Sequence, residues 1–152
     1  MRMQLENGVM SMKQVMLNVG FVLFAGCILS LPVWAGDVVV IVNKTNTNPV
    51  DKAVVIKIFT GVTKSWADGG PIFAIDQGED NPVRADFYSS VLGKSSGNMK
   101  ALWAQNIFSG KGLPPKIVDP DAEVKKVVST NKNAIGYIKA SSVDDTIKVV
   151  FK

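Results

Sequence analysis

The chain contains no histidine and a single cysteine, Cys27, among its 152 residues. The Ser–His and Cys–His catalytic arrangements both need a histidine, so the sequence excludes them. One cysteine cannot form a disulfide within the chain, and a disulfide-stapled scaffold is excluded as well. We therefore predict a protein that is not an enzyme and that uses no cofactor.

A strong excess of one charge is also lacking. Seventeen Lys and Arg residues stand against thirteen Asp and Glu residues, which gives a formal net charge of +4. These charges are dispersed along the chain, whereas nucleic-acid-binding proteins concentrate basic residues on one face or segment. We expect no nucleic acid among the partners.

The first 35 residues have the pattern of a secretory signal peptide. Lys13 precedes an apolar run over residues 15–31, and small residues follow at positions 33 and 35 (VWA). A basic start, an apolar middle and an A-x-A-like end are typical of a signal that is cleaved during export. We predict a signal peptide over residues 1–35, a folded domain over residues 36–152 and a periplasmic location.

Two alternatives remain open for this segment. The apolar run is nearly as long as the ~20 residues that cross a bilayer, so it is also compatible with a retained membrane anchor. Residues 23–27 (LFAGC) resemble a bacterial lipobox, which would make Cys27 a lipidation site. The residues after Cys27 are still apolar, as expected inside a signal peptide, and this favours cleavage over lipidation.

Apolar patterning in the rest of the chain predicts strands that alternate with helices. Residues 38–42 (VVVIV) form a β-branched run without alternation, typical of a strand covered on both faces. Helical spacing follows at Val50, Val54 and Ile58, and this helix is expected to end at Gly61. Further strands are predicted over residues 71–75, 116–118, 134–138 and 146–151, and further helices over residues 81–91, 99–107 and 124–128. The alternation predicts an α/β fold with a mostly parallel mixed sheet flanked by helices.

Three of the helices are predicted to begin in the same way, at residues 48–49, 81–82 and 119–120. Each pair places Asn or Asp before a proline. The first residue would cap the helix, and the proline would occupy the first helical position, where its missing N–H costs nothing.

The segment from Asp76 to Phe87 is the candidate functional site. It has the pattern of a strand end, a glycine turn and the first turn of a helix. Free N–H groups and the positive end of the helix dipole favour an anion at such a junction. Three carboxylates crowd the approach, however, at Asp76, Glu79 and Asp80, and Pro82 removes one donor.

The same carboxylates, together with Asp86, are oxygen ligands of the type that calcium prefers. Their spacing lacks the alternate-position rhythm of an EF-hand loop. We therefore predict no metal site.

Several segments resemble the phosphate-binding proteins of ABC transporters. Residues 41–49 (IVNKTNTNP) are similar to that family's Val-Asn…Asn-Pro strand end, and residues 58–66 (IFTGVTKSW) to its Ile-Phe-x-Gly-x-x-x-x-Trp segment. Residues 133–138 (NAIGYI) resemble its Gly-Ala-Ile-Gly-Tyr strand. The match covers nearly all of residues 38–138, and we identify the chain as a member of the periplasmic-binding-protein superfamily.

The resemblance implies one lobe of a two-lobed fold. Full-length members of the family enclose an anion in the cleft between two lobes, whereas this chain matches the second lobe alone. A lone lobe would bind at an open surface, form a homodimer or pair with another protein.

The resemblance also implies where an anion would bind. The family's Arg-x-x-Gly-Ser-Gly-Thr segment supplies an arginine, hydroxyls and amides to phosphate. In this chain its arginine falls on Gln77, and its Ser-Gly-Thr falls on residues 81–83 (NPV). Both hydroxyls, one amide donor and the cation are therefore absent together.

Five residues remain as candidate anion ligands: Gln77, Gly78, Asn81, Val83 and Arg84. Gln77 and Gly78 would offer neutral donors, while Asn81 is expected to cap its own helix. Arg84 would either be a solvated side chain in the first helical turn or fold back toward the loop.

Two functions follow from these expectations. The first is an exported periplasmic solute-binding protein for phosphate or another oxyanion. The alternative is a single-lobe interaction module of the cell envelope that has kept the fold and lost anion binding, with an envelope protein or a second copy as its partner.

Overall fold

The computed structural model describes residues 38–152. The predicted signal peptide and the lipidation alternative at Cys27 lie outside these residues. Within residues 38–152, five strands and four α-helices are found, and they confirm the α/β class. The strands are β1 (Val38–Asn43), β2 (Phe73–Asp76), β3 (Lys116–Ile117), β4 (Ala134–Lys139) and β5 (Ile147–Phe151). The helices are α1 (Lys52–Phe59), α2 (Pro82–Asp86), α3 (Ser96–Phe108) and α4 (Asp121–Thr130).

The strands form one mixed sheet in the order β3-β2-β4-β1-β5. β2 runs parallel to β3 and to β4, whereas β1 runs antiparallel to β4 and to β5. The predicted mixed sheet is confirmed, with two parallel and two antiparallel pairings rather than a parallel majority. Apolar runs indicate that strands exist but carry no information about their direction.

The central strand β1 is buried along its whole length, as predicted. Val38, Val40 and Val42 contribute to an apolar cluster with residues of α1 and of the segment after α2. Val39 and Ile41 contribute to a second cluster, which includes α4 residues. Because helices cover both faces of the sheet, every position of the strand favours an apolar side chain.

The predicted cap at Asn81 is confirmed. Its side chain accepts a hydrogen bond from the backbone N–H of Val83, and Pro82 follows at the first helical position. The chain then continues from α2 into a π-helical turn, Phe87–Leu92, which ends at Gly93 with φ of 63°. The helix predicted over residues 81–91 is therefore confirmed.

The other two predicted helix starts are wrong. α1 begins three residues later than predicted, because Asp51 accepts from the N–H of Val54 and caps the helix. Asn48 instead exchanges hydrogen bonds with Asp68. The predicted end of this helix is correct, since Gly61 follows it with φ of 78°.

The start of α4 also differs from the prediction. Pro120 occupies the cap position and Asp121 is the first helical residue, so no side chain caps this helix. The carboxylate of Asp119 makes its hydrogen bonds to a different segment of the chain, which is described next.

Candidate functional site

The predicted junction lies where β2 ends and α2 begins. β2 and β3 are parallel, with Asp76 paired to Ile117, so both strands end at the same edge of the sheet. Asp119 follows β3 directly, and Asp121 starts α4 at this edge. Ligands of α/β proteins commonly bind at the carboxyl ends of parallel strands.

Gln77 is fully buried at this junction and holds three elements together. Its Nε2 donates to the backbone oxygen of Tyr137 at 2.8 Å and to Oδ1 of Asp121 at 3.0 Å. Its Oε1 accepts from Nδ2 of Asn81 at 2.6 Å. Both amide hydrogens have protein acceptors, so the neutral donor predicted for an anion is engaged within the fold.

Gly78 and Asn81 both donate to the carboxylate of Asp119. The N–H of Gly78 lies 2.6 Å from Oδ2, and Nδ2 of Asn81 lies 2.7 Å from Oδ1. A Cβ atom at position 78 would stand 2.5 Å from the same Oδ2, so only glycine permits this approach. The carboxylate of Asp119 thus takes the hydrogen bonds that the sequence predicted for an anion.

Four of the five predicted residues therefore come together at the junction. The N–H of Val83 completes the set by donating to the capping oxygen of Asn81 at 3.0 Å. The four donor groups that we assigned to an anion all have acceptors within the protein.

The fifth predicted residue, Arg84, has its side chain largely buried against Asp76, so the expected solvated side chain is wrong. Its side chain is 12% exposed, and its Nε lies 3.3 Å from Oδ2 of Asp76. The same Nε donates to the hydroxyl of Tyr88 at 3.0 Å, one helical turn away. A buried carboxylate and a tyrosine at i+4 together draw the guanidinium inward.

Asp76 is the centre of this buried polar cluster. Its two oxygens accept hydrogen bonds from the hydroxyls of Tyr88 and Tyr137, and Oδ1 also accepts from the N–H of Gln77 at 2.9 Å. The ring of Phe87 stacks on that of Tyr137 with centroids 3.9 Å apart, which keeps one side of the cluster apolar.

The titration of the cluster follows from this environment. Burial, reinforced by the hydrogen bond to Asp76 and by its negative charge, raises the pKa of Tyr88. Burial and the charge of Asp76 also raise the pKa of Tyr137. Burial alone would lower the pKa of Arg84, but the hydrogen bond to Tyr88 and the charge of Asp76 outweigh it and raise that pKa.

Sequence analysis missed three residues that organise this region: Tyr88, Tyr137 and Asp119. Tyr88 was detectable, because it lies four residues after Arg84 on one helix face. Tyr137 and Asp119 lie 61 and 38 residues away from their partners Asp76 and Asn81, and no local pattern links such positions.

The described residues offer no cluster of three ligating side chains placed to hold a metal ion. The acidic residues of the junction separate in space: Asp76 is buried, whereas Glu79 is exposed and lies 3.8 Å from Lys100. Within residues 38–152, no helix has the length and apolarity needed to cross a membrane.

The segment from the end of α3 to β3 carries several exposed apolar side chains. Four large ones lie along it, at Ile107, Phe108, Leu113 and Ile117, and we call them the apolar rim. Phe108 is 97% exposed and Leu113 is 79% exposed. Ile107 and Ile117 line a cavity that also contacts Arg84.

Comparison with known proteins identifies the fold. A family model described as a PBP superfamily domain matches residues 20–150. No curated protein matches the chain.

Several solved structures have the same fold, and three of them illustrate the likeness. An ABC-type phosphate transport receptor from Vibrio cholerae is 18% identical with a TM-score of 0.59, over 76% of this chain and 45% of that chain. A Clostridium perfringens protein solved with bound phosphate is 23% identical with a TM-score of 0.61, over 76% and 44%. PstS from Borrelia burgdorferi is 13% identical with a TM-score of 0.58, over 76% and 47%. The chain thus spans less than half the length of each structure, which is consistent with the predicted single lobe.

Proposed function

The chain belongs to the PBP superfamily, and from this premise we propose that it is an exported, non-enzymatic interaction module of the cell envelope. In this proposal a single lobe recognises a protein partner in the periplasm and does not capture a free oxyanion. The predicted signal peptide over residues 1–35 supports export.

The observation that carries the proposal is the position of Asp119. Its carboxylate accepts the hydrogen bonds of Gly78 and Asn81, so an incoming anion would have to displace it. Two like charges 4 Å apart repel by about 4 kcal/mol at an effective dielectric constant of about 20. Asp121 and the buried Asp76 add negative charge nearby, and the cation predicted to bind an anion, Arg84, is paired with Asp76.

The apolar rim supplies the surface for a partner. Large side chains that are exposed next to one another on a folded protein mark interaction sites more often than they mark ordinary surface. Phe108 at the end of α3 and Leu113 in the following loop have most of their surface in solvent. Burying them against a partner would be favourable by about 25 cal/mol per Å² of apolar surface.

The proposal is tested by photo-crosslinking in the native host. A photoreactive phenylalanine analogue placed at Phe108 or at Leu113 should give one discrete adduct, and mass spectrometry would identify the partner. The matched control is the same analogue at Lys126, an exposed position on α4 at the other face of the sheet. Equal labelling from Lys126, or no adduct from either rim position, would overturn the proposal.

A second copy of this chain is one partner that the experiment would reveal. The adduct would then have twice the mass of the chain, and sedimentation of the purified protein would show a dimer. Substitution Phe108→Glu should return this dimer to the monomer.

Oxyanion capture is the second candidate function. It is favoured by the likeness to the Clostridium perfringens protein solved with bound phosphate. Isothermal titration of the purified protein with phosphate and with sulfate decides between the two. Saturable heat that disappears in the variant Arg84→Ala would support capture and would count against the interaction module.

A further inference from the structure

Two grooves adjoin α3 and the end of α1. The first has a volume of about 370 Å³, and its lining includes Phe73, Trp103 and Leu113. The second has a volume of about 630 Å³ and contacts both α1 and α3. Gly61 and Lys64 line both grooves, and we call the two together the basic groove. Each volume lies within the range of ligand sites.

The place where the two grooves meet is held by contacts within the protein. A Cβ atom at position 61 would stand 2.7 Å from the ring of Trp103, so glycine allows α3 to pack closely on the end of α1. The Nζ of Lys64 donates a hydrogen bond to the backbone oxygen of Lys111 in the loop after α3. The walls of the groove are therefore formed before any ligand arrives.

The charges that line the basic groove all have one sign. Among the described residues, no Asp or Glu belongs to the lining, whereas four lysines do: Lys64, Lys94, Lys111 and Lys116. Within residues 38–152 these four form no ion pair, in contrast to Lys100, Lys125 and Lys126. Positive charges gathered along a groove raise the local potential and attract anionic groups.

The basic groove also exposes apolar surface. Val62 is 72% exposed, Leu113 is 79% exposed and Phe73 is 36% exposed, and all three belong to the lining. A small polar anion would leave these side chains in water, and a neutral apolar ligand would make no use of the lysines. The complementary ligand is both apolar and acidic.

The distribution of the lysines indicates a polypeptide as that ligand. Lys116 lines the first groove, whereas Lys94 and Lys111 line the second. A fatty acid carries a single carboxylate and so cannot pair with lysines in both grooves. A flat lipid surface contacts residues that protrude and would leave the floor of a groove hydrated. A polypeptide segment offers several carboxylates and apolar side chains along its length.

We propose that the basic groove binds an acidic, apolar segment of a partner polypeptide, with apolar side chains against Trp103 and Leu113 and carboxylates on the four lysines. This inference rests on the proposed interaction function and names the chemistry of the partner. Since the lysines lie at the surface, the affinity should fall as the salt concentration rises.

The test is a titration of the ¹⁵N-labelled exported protein, followed by the backbone amide signals of Gly61 and Gly112 in the lining. The probes are acetyl-Glu-Leu-Glu-Glu-Leu-Glu-amide, the same peptide with Gln in place of each Glu, and phosphatidylglycerol vesicles. The acidic peptide should shift both signals with saturation, and the neutral peptide should bind about tenfold more weakly at low salt.

Three results would contradict the inference. Equal affinity for the two peptides would overturn the role of charge. The absence of a saturable shift with the acidic peptide would overturn the site. A response to the vesicles alone would show that the groove meets a lipid surface and not a polypeptide.

A pair of double variants isolates the lysines of the groove. Lys64→Gln with Lys116→Gln should weaken the acidic peptide about fivefold, because two exposed charge pairs are lost. The matched control is Lys126→Gln with Lys132→Gln, which removes the same charge from exposed positions outside the lining and should bind like the parent. Equal weakening in both double variants would assign the effect to net charge and overturn the groove.

The outcome is separable from that of the proposed function. A crosslinked adduct at Leu113 that persists undiminished in the variant Lys64→Gln with Lys116→Gln would retain the interaction module and remove the acidic segment. The absence of any adduct in the parent would remove the module, even if the acidic peptide bound to the groove.

Discussion

The junction loop and the cavity beside Arg84 lie next to each other, but they differ in whether their hydrogen-bond donors have acceptors. In the loop, the donors of Gln77, Gly78, Asn81 and Val83 all have acceptors within the protein. Among the residues that line the cavity, two buried donors have no acceptor in the structure: Nη1 of Arg84 and Nε1 of Trp103. Complete pairing indicates a structural role for the loop, whereas the interior beside the cavity is less fully paired. The junction loop, which corresponds in position to a phosphate site, is thus the region whose donors are more completely paired.

The largest effect on stability is expected at Asp76, whose carboxylate contacts Arg84 beside the cavity and Gln77 of the junction loop. Asp76→Ala would leave the Arg84 charge and two tyrosine hydroxyls buried without their acceptor, so the free energy of unfolding should fall by about 3–5 kcal/mol. Urea unfolding measures this loss. Glu79→Gln, which removes an exposed carboxylate nearby, should change stability by less than about 0.5 kcal/mol. A loss below about 1 kcal/mol in Asp76→Ala would contradict the role of the cluster.

The two tyrosines predict a loss of stability at high pH. Their pKa values are raised in the folded state, so above about pH 10, the usual tyrosine pKa, the folded protein holds more protons than the unfolded chain. Stability should be complete below that pH and then fall by about 1.4 kcal/mol per pH unit for each tyrosine that stays protonated.

Urea unfolding between pH 8 and pH 11 measures this slope. The variant Tyr88→Phe should lose about half of the dependence, because one of the two titrating groups is gone. An identical slope in the variant would assign the effect to lysines and not to the cluster.

Removal of the Asp119 carboxylate should have a smaller effect on stability. It would leave the junction loop, and not only the region beside the cavity, with donors that lack an acceptor. Asp119→Ala frees the N–H of Gly78 and the amide of Asn81, so stability should fall by about 1–2 kcal/mol. Phosphate should then raise the melting temperature of the variant more than that of the parent. Sodium chloride at the same ionic strength is the control, and an equal response of both proteins to phosphate would show that Asp119 does not exclude anions.

The smallest stability effect is expected at the apolar rim. Phe108→Glu changes a side chain that is almost wholly in solvent, so the free energy of unfolding should move by less than about 0.5 kcal/mol. Partner crosslinking from Leu113 should nevertheless be lost in this variant. A large loss of stability would mean that Phe108 belongs to the core and not to an interaction surface.

The parts of the fold that local patterns specify were predictable. The unbroken β-branched run of β1 indicated burial on both faces, and the spacing of Met99, Trp103 and Ile107 indicated α3. The cap at Asn81 followed from its own sequence, because capping involves residues only two or three positions apart.

The wrong predictions for two helix starts and for Arg84 have one cause. Other residues, distant in sequence or not considered, compete for the same hydrogen bonds. At the start of α4, Asp119 had the correct type to cap the helix, but it binds Gly78 and Asn81 instead. At α1, Asp51 outcompeted Asn48. The Arg84 side chain is buried because Asp76, Tyr88 and Tyr137 lie together beside it. These three residues come from different elements, and a single sequence does not show which elements will be in contact.

The pairing of β1 determines when the sheet can form. β1 is hydrogen-bonded to β4 and β5 and to no other described strand, and Val38 pairs with Lys139 about 100 residues later. The centre of the sheet therefore stays open until β4 has been synthesised. Contacts this distant in sequence slow folding. For the export that we propose, this delay is favourable, because β1 has no strand partner until β4 has been synthesised.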